Sequence, residues 1–549
     1  MTPLLTYVKL IDMMDFSRKL PIGIQSFKDL REKEFLYVDK TEYVFRLAGE
    51  SKVYFLSRPR RFGKSLLLST LEAYFLGQKD LFKGLAIEKL EEAEKEKRAI
   101  WQEYPVFYLD FNAKNYINTQ SLYELLDTHL RKWEDRFAVQ KQEKSPESRF
   151  KEIIEHIYEK TGKQVVVLVD EYDKPLLETV SDNAELNDTY RKILKAFYGV
   201  LKSSDQYLRF AFLTGVTKFS KISIFSDLNN LRDISLEESF ADICGITEAE
   251  LKECFQPEIQ ALGERQNLSY EETLAGLKQY YDGYHFHPDK EGVYNPFSLL
   301  NAFVKRELGS YWFSTGTPTF LVEYLKKSYY YVPDLENNVQ ADEHGLTDYR
   351  ADPVLPIPIL FQAGYLTIKD YNKFSKLYRL GFPNDEVRYG FLRNLMPAYT
   401  SIRADKTGLS VWEFYEQIEA GDVDGFMEKM KGIISGIPYD SLTEKDLALR
   451  EQNYQTAVYL VFALMNQFVH TEVHCSTGRA DCVVEFKDKV YIFEFKLVSN
   501  ASSEEAVKQI KEKNYADRFS GSGKKLIAVG SSFDEEKRTI KDWAVETLA

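Results

Sequence analysis

The chain has 549 residues, of which 44% are hydrophobic and 29% are charged, and its 72 basic and 85 acidic side chains give a formal net charge of −13. This length exceeds what one hydrophobic core supports and predicts about three or four domains. The composition excludes a mainly disordered protein. The acidic balance excludes a globally basic nucleic-acid coat, although a single domain can still carry a local basic groove.

Neither a secretory signal nor a membrane-spanning helix is evident. The first residues contain acidic interruptions and no continuous apolar core, and no stretch approaches about 18 uninterrupted apolar residues. Four cysteines are too few for a disulfide framework in a chain of this length. We therefore expect a cytoplasmic protein with no membrane partner.

Alternating strand and helix signals predict an α/β domain over residues 21–235, preceded by a leader at 1–20. Continuous apolar runs, rather than alternating ones, are typical of strands in a parallel sheet that is covered on both faces. The expected fold class is therefore α/β, with a parallel sheet and helices on both of its faces. Four such runs are expected to form its strands: 53–56, 106–111, 165–169 and 209–213.

Two further regions follow this domain. Residues 236–399 have mostly helical signals and form a predicted connector or lid. Residues 400–549 form a second predicted α/β domain, which begins with helices. Its later elements are expected in the order strand 482–486, strand 490–495, helix 503–516, strand 525–529 and a terminal helix.

A phosphate-binding loop is the first predicted chemical site. Gly63-Lys64-Ser65 follows a predicted strand, precedes a predicted helix and matches the second half of the P-loop pattern, whereas Arg58 replaces its first glycine. Lys64 would contact the β- and γ-phosphates, and the Ser65 hydroxyl would hold Mg²⁺. Residues 51–70 contain five basic and no acidic side chains, which favours a polyphosphate ligand. A solvated basic turn is the alternative, and Arg58 leaves the nucleotide affinity open.

A second pattern supplies the complementary half of a nucleotide site. The apolar run at 165–169 is followed directly by Asp170, placed to reach Mg²⁺, and by Glu171, placed to polarise a water molecule as general base. An acidic turn that caps the next helix is the alternative. At the end of the fourth predicted strand, Thr214 or Thr217 could sense the γ-phosphate, and Lys218 and Arg232 could assist as cations.

A carboxylate–lysine cluster in the last domain is the other predicted chemical site. Asp481 opens one strand, and Glu494 and Lys496 lie two residues apart on the next, so that both point to one face. Two carboxylates within reach of each other suit Mg²⁺, and a lysine beside them can orient a water molecule or stabilise charge on a phosphate. An exposed hairpin with alternating charges is the alternative. Three accessory residues are also expected near this site: Glu451, Gln509 and Tyr515.

Several segments carry a resemblance to a known family. The chain resembles the AAA-ATPase-like proteins of bacteria, and its tail resembles the PD-(D/E)XK nuclease domain of that family. The segments that carry the resemblance are YVDKTEYV (37–44), LSRPRRFGKSLLLSTLEAYF (56–75), VVVLVDEYDKPL (165–176), FLTGVTKFSKISIFSDLNNLRDIS (212–235), YDGYHF (281–286), YNPFSLLNAF (294–303), YWFSTGTPTFL (311–321) and GRADCVVEFKDKVYIFEFKL (478–497).

The resemblance implies a P-loop ATPase of the additional-strand, catalytic-glutamate type, joined to a restriction-endonuclease-like domain. It also implies that an arginine at the first loop position is normal for the family. ATP and Mg²⁺ are the implied cofactors. The residues expected at the nucleotide are Arg61, Phe62, Gly63, Lys64, Ser65, Asp170, Glu171 and Thr214, and those expected in the nuclease role are Asp481, Glu494 and Lys496.

Together these patterns predict an ATP-binding, ATP-hydrolysing protein that cleaves nucleic acid, with DNA as the expected substrate, in a Mg²⁺-dependent reaction. ATP occupancy is expected to gate the C-terminal site through the connector. One alternative, mildly favoured by the net charge, is a nucleotide-dependent signalling switch whose nuclease-like domain is only an interaction module. Another is a DNA-binding ATPase without cleavage. Homo-oligomer formation stays open.

Overall fold

The computed structural model describes residues 18–140, 144–179, 183–218, 230–313, 319–328, 330–336, 339–347, 356–436, 447–466, 473–475, 482–497, 501–519, 521–534, 537 and 539–548. The chain divides into two compact units. The N-terminal unit consists of residues 1–314 and 337–386, and the C-terminal unit consists of residues 315–336 and 387–549. The chain therefore passes between the units three times.

Helices and strands alternate through the first part of the N-terminal unit, as the sequence predicts. In chain order these elements are α1 (Phe27–Glu32), α2 (Thr41–Glu50), β1 (Val53–Ser57), α3 (Lys64–Phe75), α4 (Ala86–Glu94), β2 (Val106–Asp110), α5 (Thr119–Phe137), α6 (Pro146–Thr161), β3 (Val165–Asp170), α7 (Lys174–Thr179), α8 (Ala184–Ser203), β4 (Leu208–Gly215) and β5 (Arg232–Asp233).

The strands form one parallel sheet with the order β2-β3-β4-β1-β5. Every residue of β3 is buried, and in β1 only the last residue, Ser57, is partly exposed, because helices cover the sheet. Strand β4 lies between β1 and β3, so the strand before the predicted phosphate loop and the strand that ends in Asp170 are separated by one additional strand. The predicted α/β fold class is confirmed.

Helices dominate the next part of the chain, as predicted, but the sheet β6-β8-β7 is also present there. This small antiparallel sheet belongs to the N-terminal unit, whereas the helix at 319–327 belongs to the C-terminal unit. The elements are α9 (Glu248–Cys254), α10 (Gln256–Gln266), α11 (Tyr270–Tyr281), α12 (Pro296–Lys305), α13 (Thr319–Lys327), β6 (Val339–Ala341), α14 (Glu343–Thr347), α15 (Ile357–Gln362), β7 (Thr367–Asn372) and β8 (Leu377–Gly381).

The C-terminal unit combines helices with a mixed sheet of the order β13-β12-β11-β10-β9, in which only the β11–β12 pair is parallel. Its elements are α16 (Asp385–Tyr399), α17 (Thr407–Ala420), α18 (Val423–Ser435), α19 (Leu447–Met465), β9 (Val473–Cys475), β10 (Cys482–Glu485), β11 (Lys489–Leu497), α20 (Ser503–Glu512), β12 (Lys525–Asp534) and β13 (Thr539–Thr547). The first two residues of α16 still belong to the N-terminal unit.

The prediction of a terminal helix was wrong, because the chain ends in strand β13. This strand pairs with β12 along nearly its whole length, and all of its residues except Ile540 are partly or fully exposed. Its sequence, TIKDWAVET, mixes apolar and charged residues without a clear period of two. Pairing with the neighbouring strand therefore decides its conformation more than local propensity does.

Helix α20 packs on one face of the C-terminal sheet. Its Val507 and Ile510 share a hydrophobic core with Val490 and Ile492 of β11. Residues 494 and 496 lie on the same face of that strand, because side chains alternate along it. None of the helices in the described part of the chain combines the length and apolarity needed to cross a bilayer.

Candidate functional site

The predicted phosphate loop joins β1 to the first turn of α3, which begins at Lys64. Gly63 caps this helix in the left-handed region, with φ of 93°. No described atom beyond the immediate chain neighbours lies within 4 Å of the position that a Cβ on Gly63 would occupy. The loop is therefore open in front of a helix N-terminus, which is the arrangement that binds phosphate.

Lys64 is buried at the centre of this loop. Its Nζ donates hydrogen bonds to the carbonyl oxygens of Arg58 and Pro59, at 3.0 and 3.2 Å, and lies 3.3 Å from Oε1 of Glu171. The ammonium group thus holds the loop backbone in a closed turn. An anion bound in the loop would compete with these two carbonyl oxygens for the positive charge of Lys64.

Asp170 ends β3 and faces the start of α3. Its Oδ1 accepts a hydrogen bond of 2.9 Å from Thr214 Oγ1, and Ser65 also hydrogen-bonds to the carboxylate. Burial raises the pKa of Asp170 and the neighbouring charge of Glu171 adds to this effect, while the bonds from Ser65 and Thr214 oppose it. The structure thus brings Lys64, Ser65, Asp170 and Thr214 together at one end of the sheet.

Glu171 occupies a strained position beside this cluster. Its φ of 54° lies in the left-handed region, which a non-glycine residue adopts at a cost of about 1 kcal/mol or more. In this conformation the Glu171 carboxylate lies beside the ammonium group of Lys64. Strain of this kind is typical of sites where backbone geometry serves chemistry.

Asp173 is an important site residue that the sequence analysis missed. Its fully buried carboxylate accepts hydrogen bonds from the backbone N–H groups of Val216 and Thr217 and from the Thr217 hydroxyl. Burial, with the charge of Glu171 as a second cause, raises its pKa to about 6. It fixes the turn directly after β4. The one signal in the sequence is a third acidic residue in the segment DEYD, which is too common to single out.

Arg58 does not point into the loop opening. Its guanidinium is buried, donates to the carbonyl oxygens of Ser57, Ser235, Phe240 and Ala241, and stacks 3.9 Å from the ring centroid of Phe286. Burial lowers its pKa to about 10. The residue at the first glycine position is therefore a structural anchor that leaves the opening in front of Gly63 clear.

The other predicted residues around the loop differ in what they can contribute. Arg61 is exposed and lies over the ring of Phe297, at 5.1 Å, while the ring of Phe62 is buried against Tyr284 and Phe286. Phe62 can therefore contact a nucleotide only through its backbone. Lys218 pairs with Asp233, and Arg232 pairs with Glu50 and Glu237, so that both cations are already bound to carboxylates.

The second site is centred on Glu494 in β11. This carboxylate is 2% exposed, and its Oε1 accepts hydrogen bonds from Lys496 Nζ, at 2.7 Å, and from Gln509 Nε2 of α20. Its Oε2 is buried without a hydrogen-bond partner among the described residues. Tyr515 joins the group, because its hydroxyl lies 3.5 Å from Gln509 Nε2. Four predicted residues are thus brought together in the C-terminal unit.

The unpartnered oxygen of Glu494 bears on whether these residues fit a metal ion. A buried carboxylate oxygen without a donor costs free energy unless something else satisfies it, and carboxylate oxygens are the ligands that Mg²⁺ prefers. The residues therefore fit the cation. Asp481, the other predicted ligand, lies outside the described residues. The same applies to the side chain of Glu451, whose backbone lies in α19.

Comparison with known proteins finds a family match in each of the two parts of the chain that carry these residues. A family model described as a predicted AAA-ATPase matches residues 21–225, and one described as the PD-(D/E)XK nuclease superfamily matches residues 449–543. A curated protein, named an uncharacterized protein in the vnfD 5' region of Azotobacter chroococcum mcd 1, is 36% identical over 538 residues, which cover 97% of this chain and 99% of that protein. Since the likeness runs through nearly the whole length of both proteins, the chain belongs to the AAA-ATPase-like family and carries a domain of the PD-(D/E)XK nuclease superfamily at its C-terminus.

Proposed function

We propose that the chain binds and hydrolyses ATP in its N-terminal unit and cleaves phosphodiester bonds of nucleic acid, with DNA as the expected substrate, in its C-terminal unit. The two family matches support an ATPase and a nuclease in one chain. The arrangement of buried polar residues in each unit supports the individual roles described below. Coupling between the two reactions is part of the proposal, because one chain carries both sites.

In the nucleotide site, Lys64 would exchange its carbonyl contacts for the β- and γ-phosphates, and Ser65 and Asp170 would hold Mg²⁺. Glu171 is the proposed general base, because its carboxylate lies beside Lys64 and is partly exposed to solvent. Thr214 orients Asp170 through its hydroxyl. Asp173 holds the turn after β4, so that Thr217 is presented from a rigid backbone. The bound cation supplies charge neutralisation on the phosphates.

In the nuclease site, Glu494 and Asp481 would hold a divalent cation, and Lys496 would orient a water molecule or stabilise charge on the phosphate. The cation, when bound, lowers the pKa of water and polarises the phosphate. Gln509 bonds to Glu494 from α20 and keeps one carboxylate oxygen occupied, which directs the other towards the ligand. Lys496 remains partly exposed, with 24% of its side chain accessible, and can therefore reach a substrate.

The observation that carries the proposal is the difference in hydrogen bonding between the two carboxylate oxygens of Glu494. One oxygen is held by a lysine and a glutamine, and the other is buried with no partner among the described residues. A structural ion pair would satisfy both oxygens or expose them to water. A carboxylate that is only half satisfied is instead suited to a ligand that the chain does not supply.

The test is cleavage of single-stranded DNA, double-stranded DNA and RNA by the full chain with Mg²⁺ or Mn²⁺, with and without ATP. Glu494→Gln keeps the shape of the side chain but removes its charge, and we expect cleavage to fall about a hundredfold or more. Glu512→Gln, an exposed position at the end of α20, is the matched control and should keep full activity. Lys64→Met should abolish ATP hydrolysis while leaving the nuclease fold intact.

Two outcomes would contradict parts of the proposal. Cleavage that survives in Glu494→Gln would place the nuclease chemistry elsewhere or in a contaminant. Hydrolysis of ATP without cleavage of any substrate would favour the alternative of a nucleotide-dependent signalling switch. The formal charge of −13 would then be easier to understand, since phosphate backbones bind cationic surfaces.

A further inference from the structure

A tryptophan that lies far away in the sequence of the N-terminal unit bonds to the backbone of the phosphate loop. The indole Nε1 of Trp312 donates a hydrogen bond of 3.2 Å to the carbonyl oxygen of Arg60. Trp312 is 6% exposed, and its ring lies 5.1 Å from that of Tyr365. The bond therefore lies in a packed environment in which the loop backbone and the indole cannot move independently.

The backbone of the same tryptophan is bound by Glu386. Oε1 of Glu386 accepts hydrogen bonds from the backbone N–H groups of Tyr311 and Trp312, the latter at 2.7 Å. The carboxylate is 2% exposed. These two hydrogen bonds join the segment at 311–312 to Glu386. We refer to Trp312 and Glu386, with these bonds, as the Trp312–Glu386 pair.

A second set of contacts ties the loop and the turn after β4 to one region. A Cβ on Gly364 would lie 2.6 Å from Cγ of Pro59, so the chain passes directly against the phosphate loop at this point. Two residues earlier, the Gln362 side chain accepts a hydrogen bond of 2.7 Å from the backbone N–H of Lys218. The phosphate loop therefore contacts Trp312 and Gly364, and the turn after β4 contacts Gln362.

The Trp312–Glu386 pair lies next to two of the places where the chain leaves the N-terminal unit. The unit ends at residue 314, two residues after Trp312, and ends again at Glu386 itself. Glu386 is in the first turn of α16, whose remaining residues belong to the C-terminal unit. Helix α16 therefore continues from Glu386 directly into the residues of the C-terminal unit.

Nucleotide binding would act on this arrangement through Lys64. Its ammonium group now bonds to the carbonyl oxygens of Arg58 and Pro59, immediately before Arg60. Phosphates in the loop would draw that charge away and release both carbonyls. The next carbonyl oxygen in the chain, that of Arg60, accepts the hydrogen bond from Trp312. A movement of the Arg58 and Pro59 carbonyl groups would therefore act directly on the indole.

We propose that the Trp312–Glu386 pair couples occupancy of the phosphate loop to two segments, 309–313 and 385–392, which lie where the chain passes into the C-terminal unit. Trp312 and Glu386 are positioning residues in this proposal and do not contact the nucleotide. The inference rests on the proposed binding of ATP at Lys64, but it does not depend on cleavage by the C-terminal unit.

Hydrogen–deuterium exchange of the full chain, with and without ATP or a non-hydrolysable analogue, tests the coupling. The amides of Tyr311 and Trp312 are themselves the donors to Glu386, so their exchange rate reads the bond directly. We expect nucleotide to change exchange at 309–313 and 385–392 in the natural chain. Trp312→Phe keeps a ring but removes the indole donor, and the change in these segments should be lost.

Two further variants make the result specific. Trp412→Phe, the same substitution at a partly exposed position of α17, should retain the change. Glu386→Gln, which keeps the shape of the side chain and weakens the bonds, should reduce it and serves as a second test if Trp312→Phe folds poorly. Exchange within α3 reports nucleotide binding separately in every sample.

The outcomes separate the two proposals. If α3 shows no response to nucleotide at any concentration, the proposed ATP binding fails and the coupling fails with it. If α3 responds while 309–313 and 385–392 do not, only the coupling is overturned. A response in these segments that persists in both Trp312→Phe and Glu386→Gln also overturns it, because the pair would then not carry the change.

Discussion

Arg58 shows how a single substitution in a motif can be structural rather than chemical. A P-loop glycine allows the backbone to approach phosphate closely, whereas this arginine turns away and bonds to backbone carbonyls on the far side of the loop. The four carbonyl acceptors belong to two separate segments, 57 and 235–241. The arginine therefore joins the phosphate loop to the segment after β5, which a glycine could not do.

Replacing Arg58 with Met should destabilise the N-terminal unit. Several buried carbonyl groups would lose their donor, at a cost of about 3 kcal/mol in the free energy of unfolding. Arg60→Met is the matched control, because that side chain is exposed, and it should change the free energy by less than about 0.5 kcal/mol. Chemical denaturation followed by an N-terminal-unit tryptophan, such as Trp133, would measure both. Equal stability of the two variants would contradict the anchoring role of Arg58.

Asp173 should give the N-terminal unit a characteristic dependence on pH. Burial and the charge of Glu171 raise its pKa from the usual 3.8 to about 6. Between these values the folded state binds more protons than the unfolded state, so the stability contributed by Asp173 falls as the pH rises from about 4 to about 6. Above about pH 6 the contribution is constant, and the total loss is about 3 kcal/mol.

The measurement compares the natural chain with Asp173→Asn by chemical denaturation at a series of pH values. The free energy of the natural chain relative to the variant should decrease across this window, since only the natural chain titrates at residue 173. Asp188→Asn, an exposed substitution on α8, controls for the loss of one acidic group. A difference that stays flat from about pH 4 to 6, or rises, would mean that the carboxyl is not held at a raised pKa.

At the scale of elements, the close approach of α20 to β12 shapes the nuclease site. A Cβ on Gly530 would lie 2.2 Å from the carbonyl oxygen of Ser503 and 2.8 Å from the amide nitrogen of Val507. Both are backbone atoms that cannot turn aside. Gly530 is also the residue that pairs with Glu494 across the parallel strands β11 and β12. The absence of a side chain there lets α20 bring Gln509 within reach of Glu494.

Substituting Gly530 with Ala should therefore destabilise the C-terminal unit by about 2 kcal/mol and displace α20 from the sheet. Cleavage should fall in parallel, because Gln509 would lose its bond to Glu494. Gly432→Ala is a matched control in the same unit, since no described atom crowds that helical position. It should stabilise α18 by about 0.5–1 kcal/mol. Thermal denaturation would check both, and an unaffected Gly530→Ala would contradict the close packing.

Much of this architecture follows from local sequence patterns. The buried strands of the N-terminal sheet are continuous apolar runs, and the runs predicted at 53–56 and 165–169 lie within β1 and β3. The phosphate loop and the pair Glu494 and Lys496 were predicted because short motifs carry their chemistry. These features depend on residues that are close together in the sequence, so the sequence of one protein is enough to predict them.

Features that depend on distant residues could not be predicted in this way. Strand β13 is a strand because it pairs with β12, and its own residues do not indicate it. Asp173 matters because of Thr217, which lies 44 residues away, and Trp312 bonds to a carbonyl 252 residues away. Such contacts arise only when the fold brings separate segments together, and no periodicity in the sequence records them.

At the scale of the whole molecule, each unit includes a segment that interrupts the sequence of the other unit. In the C-terminal unit, Glu336 from the inserted stretch 315–336 accepts hydrogen bonds from Arg388 Nε at 2.9 and 3.0 Å and contacts the Tyr459 hydroxyl. This two-oxygen contact joins the insert to the main body of the unit. The insert is therefore an integral part of that unit's structure.

Glu336→Gln should weaken this junction. Arg388 would keep a neutral partner in place of a charged one while remaining largely shielded from water, at a cost of about 2 kcal/mol to the C-terminal unit. Glu323→Gln, at an exposed position of the same insert, should leave stability unchanged. Limited proteolysis and thermal denaturation would show whether only the first variant loosens the unit. If the two variants behave alike, the contact with Arg388 contributes nothing measurable.

Because the chain passes between its units three times, the two units cannot be completed one after the other during synthesis. The N-terminal unit cannot be completed until residue 386 has left the ribosome, because residues 337–386 belong to it. By then residues 315–336 have already emerged, and Glu336 must wait through 51 intervening residues for Arg388. During translation the nascent chain therefore carries residues 315–336 before the main part of the second unit has been made. Domains that fold strictly one after another from the N-terminus do not face this delay.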